Sequence, residues 1–104
     1  MKGLQARTDI AGYDAMVFTF AEDTQQPFTM RNTRMNITAG FFDVDGRFLG
    51  ATDMTPCRVR RCPTYTAPGN QKFRVVLEVM EGGLAKMGIS PGSTISVGGG
   101  CLPP

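Results

Sequence analysis

The sequence predicts a mainly β fold, a small β-sandwich or barrel-like domain with one short helix. Its apolar segments are short, several of them alternate with polar residues in a period of two, and turns containing Gly or Pro separate them. At 104 residues the chain can bury one hydrophobic core and has no room for a second lobe. We therefore expect a single β-rich domain over residues 1–97 and a flexible tail over residues 98–104.

The N-terminal part of the chain predicts a lead-in, a strand and a loop. Residues 1–14 have no sustained period, and we expect a lead-in there with one helical turn near Gln5–Thr8. Residues Ala15–Phe20 alternate with the period of two that indicates a strand. Residues 21–27 are polar and end in Pro27, which has no N–H for a strand ladder, so they predict a loop.

The middle of the chain predicts two strands joined by a tight turn. Residues 28–42 favour β structure, and a break in their alternation near Arg34–Asn36 divides them into two strand pieces. Residues Asp43–Gly46 end in Asp-Gly, a pair that tolerates the positive φ angles of a hairpin turn. Residues 47–54 then form the returning strand.

The C-terminal half predicts a long loop, a central strand and a short helix. Residues 55–71 are rich in Pro, Gly, Arg and Cys and have no apolar period, which indicates an irregular loop. Lys72–Val79 has the clearest strand pattern, and residues 84–87 form a short helix that Gly88 ends. Residues 94–97 form a last strand. In Lys72–Val79 the alternation directs Phe73, Val75, Leu77 and Val79 inward and Arg74 and Glu78 towards water.

The composition excludes several kinds of chemistry within this chain. It contains no His, so no Ser-His or Cys-His catalytic pair can form, and three Cys without His cannot complete a zinc site. Asp43 and Asp45 lack the further oxygen ligands of a calcium loop, so we expect a plain turn and neither metal nor cofactor. The net charge of +2 and the lack of Trp argue against a nucleic-acid partner. No apolar run reaches the roughly 20 residues of a transmembrane segment.

Five stretches carry a family resemblance in their order along the chain: Ala15–Phe20, Phe28–Thr33, Phe41–Gly46, Cys62–Tyr65, and Leu77–Val79 continuing to Gly88–Gly92. Over roughly residues 3–97 the sequence resembles the bacterial and archaeal family called domain of unknown function 192. It departs from the family pattern at several places, among them Thr29, where the family has Trp, and Thr38, where it has Asp.

The resemblance implies a compact β-sandwich-like domain and a location in the periplasm, the envelope or outside the cell, with the cytoplasm as the alternative. It implies no reaction. Members of the family usually carry one or two more strands before the position of Gly3. We therefore expect this chain to lack those strands and to expose a sheet edge that could pair with a second copy.

Cys57 and Cys62 flank a short run that holds three arginines, Arg58, Arg60 and Arg61. In an exported protein we expect these two cysteines to form a disulfide, which would stabilise the fold by about 2 kcal/mol. Two alternatives stay open: free structural thiols, and a reactive pair whose thiolates the neighbouring cations favour. Cys101, in the tail, is expected to be unpaired.

Arg31, Asn32 and Thr33 form the stretch most characteristic of the resemblance. Strand alternation places Asn32 on the opposite face from Arg31 and Thr33, so one polar residue must face the core or a pocket. Asn32 then either fixes a neighbouring loop through hydrogen bonds or lines a ligand pocket together with Arg31. Asp53 is the other carboxylate placed to face a pocket lined by the loop, and Tyr65 completes the candidate set.

These observations favour an exported binding or accessory module over a stand-alone enzyme, because no catalytic constellation is present. We expect a small anionic or polyhydroxylated ligand between the cysteine loop, with Arg58 and Arg60, and the strand of Arg31–Thr33. A thiol-dependent enzyme or redox protein that uses Cys57 and Cys62 is the first alternative. A structural homodimer or larger oligomer, formed through the exposed sheet edge, is the second.

Overall fold

The computed structural model describes residues 4–10, 13–30 and 35–95, with side chains from Ala15 onward. The elements in chain order are β1 Leu4–Ile10, β2 Tyr13–Thr24, β3 Phe28–Thr29, β4 Ile37–Phe42, β5 Phe48–Met54, β6 Thr64–Tyr65, a 3₁₀ turn Pro68–Asn70, β7 Phe73–Met80 and α1 Gly83–Lys86. The mainly β fold class with one short helix is confirmed.

Five strands form an antiparallel sheet in the order β1-β2-β7-β4-β5, and β3 and β6 form a separate two-stranded ribbon. Among the strands that the structure describes, β1 and β5 lie at the two edges, and the sheet does not close into a barrel. The ribbon lies over one face of the sheet and α1 over the other, so both faces are covered. This arrangement buries β7, in the middle of the sheet, at five of its eight residues.

One face of the sheet carries a core that we call the phenylalanine cluster. Its ring pairs are close, with centroid distances of 4.9 Å between Phe41 and Phe73 and 5.8 Å between Phe28 and Phe73. Phe28 belongs to the ribbon, so these rings join the ribbon to the sheet. The buried members are Phe18, Phe28, Met30, Ala39, Phe41, Met54, Ala67, Phe73 and Val76.

The opposite face carries a second core that we call the aliphatic cluster. Its buried members are Ala15, Phe42, Val75, Leu77, Val79 and Leu84. The helical turn α1 covers this face through Leu84, and Gly88 ends the turn with φ at 80°. Gly88 N–H donates to the Ala85 carbonyl and Ile89 N–H to the Leu84 carbonyl, which together form a Schellman motif and confirm the predicted helix end.

The predicted helical turn near Gln5–Thr8 is wrong, because β1 is a strand. It pairs with β2 from Leu4 opposite Thr19 to Ile10 opposite Tyr13. The segment has no clear period of its own, and its strand conformation depends on cross-strand partners rather than on local pattern. Most of those partners lie beyond residue 14, so the pattern of residues 1–14 alone could not reveal them.

The loop predicted for residues 21–27 is also partly wrong, since β2 continues to Thr24. Thr19 pairs with Val75 and Thr24 with Phe73, so β2 carries extra residues between these positions, as in a β-bulge. Arg74 Nη2 lies 3.0 Å from Asp23 Oδ1 and ties this bulge to β7. A polar run can therefore continue a strand when the neighbouring strand supplies both the ladder and a countercharge.

The strand predicted for Lys72–Val79 is confirmed as β7, but the prediction for its two faces needs correction. Val75, Leu77 and Val79 lie in the aliphatic cluster, whereas Phe73 lies in the phenylalanine cluster. Glu78, expected to face water, is half-buried. The alternation of apolar and polar residues indicated one buried face, but a central strand covered on both sides buries parts of both.

The hairpin predicted at Asp43–Gly46 is confirmed between β4 and β5. Gly46 has φ at 81°, and its N–H donates to the Asp43 carbonyl over 2.9 Å. The Asp43 carboxylate accepts hydrogen bonds from the backbone N–H groups of Asp45 and Arg47, each at 2.9 Å. Asp43 therefore uses its carboxylate to order the turn.

The two strand pieces expected within residues 28–42 are confirmed as β3 and β4, which belong to different sheets. The irregular loop predicted for residues 55–71 is wrong where β6 pairs with β3 and where the 3₁₀ turn forms. The last predicted strand is reduced, within the described residues, to a bridge between Arg47 and Thr94. The predicted tail and Cys101 lie outside the described residues.

Candidate functional site

The candidate site is built on the segment Cys57–Cys62, which we call the cystine loop. The predicted disulfide is confirmed, with an S–S distance of 2.06 Å and a Cα–Cα distance of 5.7 Å. Cys57 is buried against the core, and Cys62 is partly exposed. Residues 58–61 between them are all exposed, and Val59 exposes 64% of its surface. The disulfide thus closes a short loop that projects into solvent.

Two further cross-links hold the base of the cystine loop. The Tyr65 hydroxyl lies 3.4 Å from both the backbone nitrogen and the hydroxyl oxygen of Thr55. One step further from the loop, the Thr52 hydroxyl donates to the Thr66 carbonyl over 3.0 Å. Together with the disulfide, these contacts join the end of β5 to β6 at three successive levels.

The cystine loop is also fixed to the ribbon. Cys57 N–H donates to the carbonyl of Met30 over 3.3 Å, and Met30 is itself buried in the phenylalanine cluster. Because Met30 directly follows β3, this bond places the start of the loop beside the end of that strand. The loop therefore projects from a rigid base even though its own residues are exposed.

Positive charge dominates the outer part of the loop. Arg58, Arg60 and Arg61 occupy three of the four positions between the two cysteines, and all three are exposed. At the base, hydrogen bonding from the Thr55 hydroxyl, and secondarily from its backbone N–H, lowers the pKa of Tyr65 below its ordinary value. Planar guanidinium groups on a closed loop are suited to carboxylate and phosphate groups, which they can bind with two hydrogen bonds.

The structure brings some of the predicted site residues together and separates another. Arg58 and Arg60 lie on the cystine loop, and Tyr65 lies at its base. Asp53, on β5, accepts a hydrogen bond of 2.7 Å from the buried hydroxyl of Thr38. Thr38 pairs with Val79 of the aliphatic cluster, so Asp53 belongs to the face of the sheet opposite Met54 and the ribbon. Arg31, Asn32 and Thr33 lie outside the described residues.

Sequence reasoning missed Thr52, Thr55 and Met30 as supports of the loop. Thr52 and Thr55 contact the chain through a hydroxyl and a backbone group, and Met30 contacts it through a carbonyl. Contacts of this kind do not produce a recognisable local sequence pattern. The one available signal was position, because Thr52 and Thr55 flank the point where the predicted strand gives way to the cysteine-containing loop.

The described residues contain no group of three or more His, Cys, Asp or Glu side chains arranged to hold a metal ion. Within the same part of the chain, no helix has the length and apolar character needed to cross a membrane. Glu78, at the centre of β7, is the one carboxylate of the described residues for which burial raises the pKa.

Comparison with protein families then gives a match over nearly the whole chain. The model of domain of unknown function 192 (DUF192), described as "Uncharacterized ACR", matches residues 1–97. The chain belongs to this family. No curated protein and no solved structure gave a significant match to it.

Membership of DUF192 confirms the resemblance inferred from the sequence and covers every described element. The matched range includes the ribbon, the cystine loop and α1. Because the family description names no activity, it assigns no reaction to this DUF192 chain. Any function must therefore be argued from the site itself.

Proposed function

We propose that this DUF192 protein is an exported binding or accessory module that holds a small anionic or polyhydroxylated ligand at the cystine loop. One observation carries the proposal: three arginines stand on four exposed consecutive residues whose flanking cysteines are joined by a disulfide. Binding residues are found disproportionately on loops that a rigid scaffold positions. The phenylalanine cluster and the ribbon supply that scaffold here.

The closed loop favours binding for an entropic reason. A flexible loop must lose conformational freedom when it binds, and a cross-link that restricts the free loop reduces this cost. The disulfide, the contact between Tyr65 and Thr55, and the bond from Cys57 to Met30 all restrict the base of the loop. The arginines are thus presented from a base that is already ordered before a ligand arrives.

The ligand chemistry follows from the guanidinium groups and their neighbours. Arg58, Arg60 and Arg61 favour carboxylate or phosphate groups, and the Tyr65 and Thr55 hydroxyls at the base can exchange hydrogen bonds with a polyhydroxylated compound. We also keep Arg31, Asn32 and Thr33 in the proposal. Its support is that Met30, the residue before Arg31, is hydrogen-bonded to the start of the loop.

The proposed location rests on the disulfide. Disulfides persist in oxidising compartments and are rare where glutathione and thioredoxin keep thiols reduced. The bond between Cys57 and Cys62 therefore supports a periplasmic, envelope-associated or secreted protein.

The test is a binding titration with a defined panel of inorganic phosphate, citrate, glucuronate and trehalose. Compounds that raise the melting temperature are titrated by calorimetry against the wild-type protein and a triple variant, Arg58→Ala, Arg60→Ala and Arg61→Ala. We expect affinity to fall at least about tenfold in the variant, because charge-assisted hydrogen bonds contribute about 1.5–3 kcal/mol each.

The matched control removes cations elsewhere on the surface. Arg47 and Lys72 are both exposed and both lie outside the cystine loop. The double variant Arg47→Ala, Lys72→Ala should bind as the wild type does. The proposal fails if no compound of the panel binds, or if loop and control variants weaken binding equally for each charge removed, since the second result would indicate attraction by net charge alone.

The competing hypothesis is a thiol-dependent enzyme or redox protein. It requires a thiolate at Cys57 or Cys62, whereas in the structure both sulfur atoms belong to the disulfide. Equilibration in a glutathione redox buffer, followed by iodoacetamide and intact mass, separates the two hypotheses, because a redox pair is reduced and labelled under conditions in which a structural disulfide stays closed. Protection of both cysteines supports the binding module, and labelling of either one supports thiol chemistry.

A further inference from the structure

The turns at the two ends of β5 carry opposite charges. The hairpin turn before β5 contains Asp43 and Asp45. The cystine loop, which follows β5, contains Arg58, Arg60 and Arg61. Because β5 is seven residues long, the two turns are separated by about 20 Å. An anionic turn and a cationic loop therefore lie at opposite ends of one strand.

Each of these two turns also exposes a valine. Val59 of the cystine loop exposes 64% of its surface, and Val44 of the hairpin turn exposes 57%. The residues on both sides of Val59 are arginines, whereas those on both sides of Val44 are aspartates. The two valines are thus matched in exposure and opposite in the charge of their neighbours.

The shape of the cystine loop favours contact with an extended surface. Residues 58–61 are all exposed, and the disulfide and the contact between Tyr65 and Thr55 hold the loop at its base. Small ligands are usually bound in concave sites that bury most of their surface. A loop that projects into solvent can instead place several side chains on one surface at the same time.

A bilayer that contains anionic phospholipids fits both the charge and the exposed valine of the loop. Its phosphate groups accept paired hydrogen bonds from guanidinium groups, and its surface potential attracts cations. The boundary between headgroups and acyl chains buries apolar side chains that lie beside those cations. A free phosphate or carboxylate would bind the arginines but would leave Val59 in water.

We propose that the cystine loop docks on the surface of a membrane that contains anionic phospholipids. Arg58, Arg60 and Arg61 bind lipid phosphate groups, and Val59 enters the boundary between headgroups and acyl chains. The acidic turn Asp43–Gly46, at the other end of β5, faces away from the membrane. The inference rests on the proposed function, because it requires the loop arginines to bind anionic groups, and it names a lipid headgroup as their source.

The first experiment measures binding of the full chain to sedimented vesicles at about 100 mM salt. The wild type should bind vesicles of phosphatidylglycerol and phosphatidylcholine in equal parts, and should not bind phosphatidylcholine alone. The triple variant Arg58→Ala, Arg60→Ala, Arg61→Ala should bind about a hundredfold more weakly, because each cation near such a surface contributes about fivefold. The control variant Arg47→Ala, Lys72→Ala should bind within about twofold of the wild type, because both residues lie outside the loop. Equal binding to neutral vesicles, or an equal loss for each charge removed in the two variants, overturns the proposal.

The second experiment uses the absence of Trp from the sequence. Val59→Trp and its matched control Val44→Trp each place a single indole on an exposed turn. With anionic vesicles, the emission of Val59→Trp should shift to shorter wavelength and should be quenched by brominated acyl chains, because the ring enters the apolar boundary. The emission of Val44→Trp should not change. Equal shifts at the two positions, or no shift at Val59→Trp, overturn the proposal.

A soluble headgroup distinguishes failure of this inference from failure of the proposed function. Calorimetry with glycerol 3-phosphate and the compounds of the earlier panel is compared with the vesicle measurements. Binding of a soluble compound that depends on the loop arginines, without binding to vesicles, overturns the membrane proposal and leaves the proposed function intact. Binding to neither overturns both proposals, and vesicle binding that depends on the arginines supports the membrane proposal. Binding of polyglutamate without binding to vesicles would assign the loop to an acidic protein and overturn the membrane proposal.

Discussion

The two faces of the central sheet are covered in different ways. The aliphatic cluster is covered by α1, which follows β7 directly and is fixed by its own Schellman motif. The phenylalanine cluster is covered by the ribbon of β3 and β6, whose strands lie far apart in the sequence. One cover is local in the chain, and the other depends on long-range contacts and a disulfide.

The difference has a functional consequence. The helical turn is short and is joined to β7 by a connection of two residues. The ribbon side carries long connections, and those connections contain the exposed arginines and the cystine loop. The face with the larger aromatic core therefore supports the connection that carries the exposed arginines, which is the arrangement that the proposed binding role requires.

The largest effect should come from the core beneath the ribbon. Phe41 is fully buried, and its ring contacts those of Phe28 and Phe73. Phe41→Ala should lower the free energy of unfolding by about 3–5 kcal/mol, measured by urea denaturation. Leu84→Ala, the matched truncation under α1, should cost about 2–3 kcal/mol because the helical turn can partly collapse onto the cavity. An equal or larger loss for Leu84→Ala would contradict this ranking of the two faces.

The second-largest loss of stability should come from substituting Gly46, whose Cα lies close to the backbone of Ile95. Gly46 has φ at 81°, and a Cβ there would collide with the carbonyl oxygen of Ile95, which packs against the aliphatic cluster. Gly46→Ala should lower stability by about 2–3 kcal/mol, combining backbone strain with loss of the hydrogen bond from Ile95 to Gly46.

The control for Gly46→Ala is Gly92→Ala. Gly92 has a similar φ of 90°, but nothing lies within 4 Å of a Cβ added there. Its substitution should cost about 1 kcal/mol from backbone strain alone, measured by the same denaturation. Similar losses at the two glycines would show that the contact with Ile95 contributes little.

The third prediction tests whether the disulfide stabilises only the cystine loop or also the phenylalanine cluster beneath it. Replacing Cys57 and Cys62 together by Ala should lower stability by about 2 kcal/mol, because the short loop then gains entropy in the unfolded chain. Near-ultraviolet circular dichroism should retain the aromatic signal of the intact core. Loss of that signal would mean that the disulfide maintains the core as well as the loop.

The smallest effect concerns the acidic residue in the middle of the sheet. Burial raises the pKa of Glu78, so the folded state binds this proton more tightly than the unfolded state does. Stability is then highest below the unfolded pKa and falls as the pH rises through the folded pKa. Gln at this position does not ionise, so the Glu78→Gln variant does not lose stability in this way. The free energy of unfolding of the variant relative to the wild type should therefore increase from pH 4 to pH 7 in denaturation measurements. A difference that does not vary with pH would contradict the assignment.

Several features could be predicted from local sequence because their causes are local. The hairpin at Asp43–Gly46 and the helix end at Gly88 depend on conformations that few residues adopt easily. The alternation of β7 marked the central strand. The proximity of Cys57 to Cys62 made their disulfide the preferred interpretation. Each of these features is determined within fewer than ten residues.

Other features depended on partners distant in the sequence. β1 and β6 are strands because β2 and β3 pair with them, and neither shows a strand period of its own. Asp53 was assigned to a pocket from its nearness to the cysteine loop, but strand alternation and the Thr38 hydroxyl place it on the other face. Position along the chain did not reveal which face of the sheet a residue shares with the loop.

The sequence by itself determined the fold class, the family, the main turns and the cysteine pair. These follow from local backbone preference and from motif order, which do not require knowledge of distant contacts. Only the tertiary structure decided that both faces of β7 are covered, that β1 pairs with β2, and that Thr55, Tyr65 and Met30 support the cystine loop. The physical reason is that sheet pairing and burial are properties of contacts between separate segments, and one strand pattern is compatible with several partners.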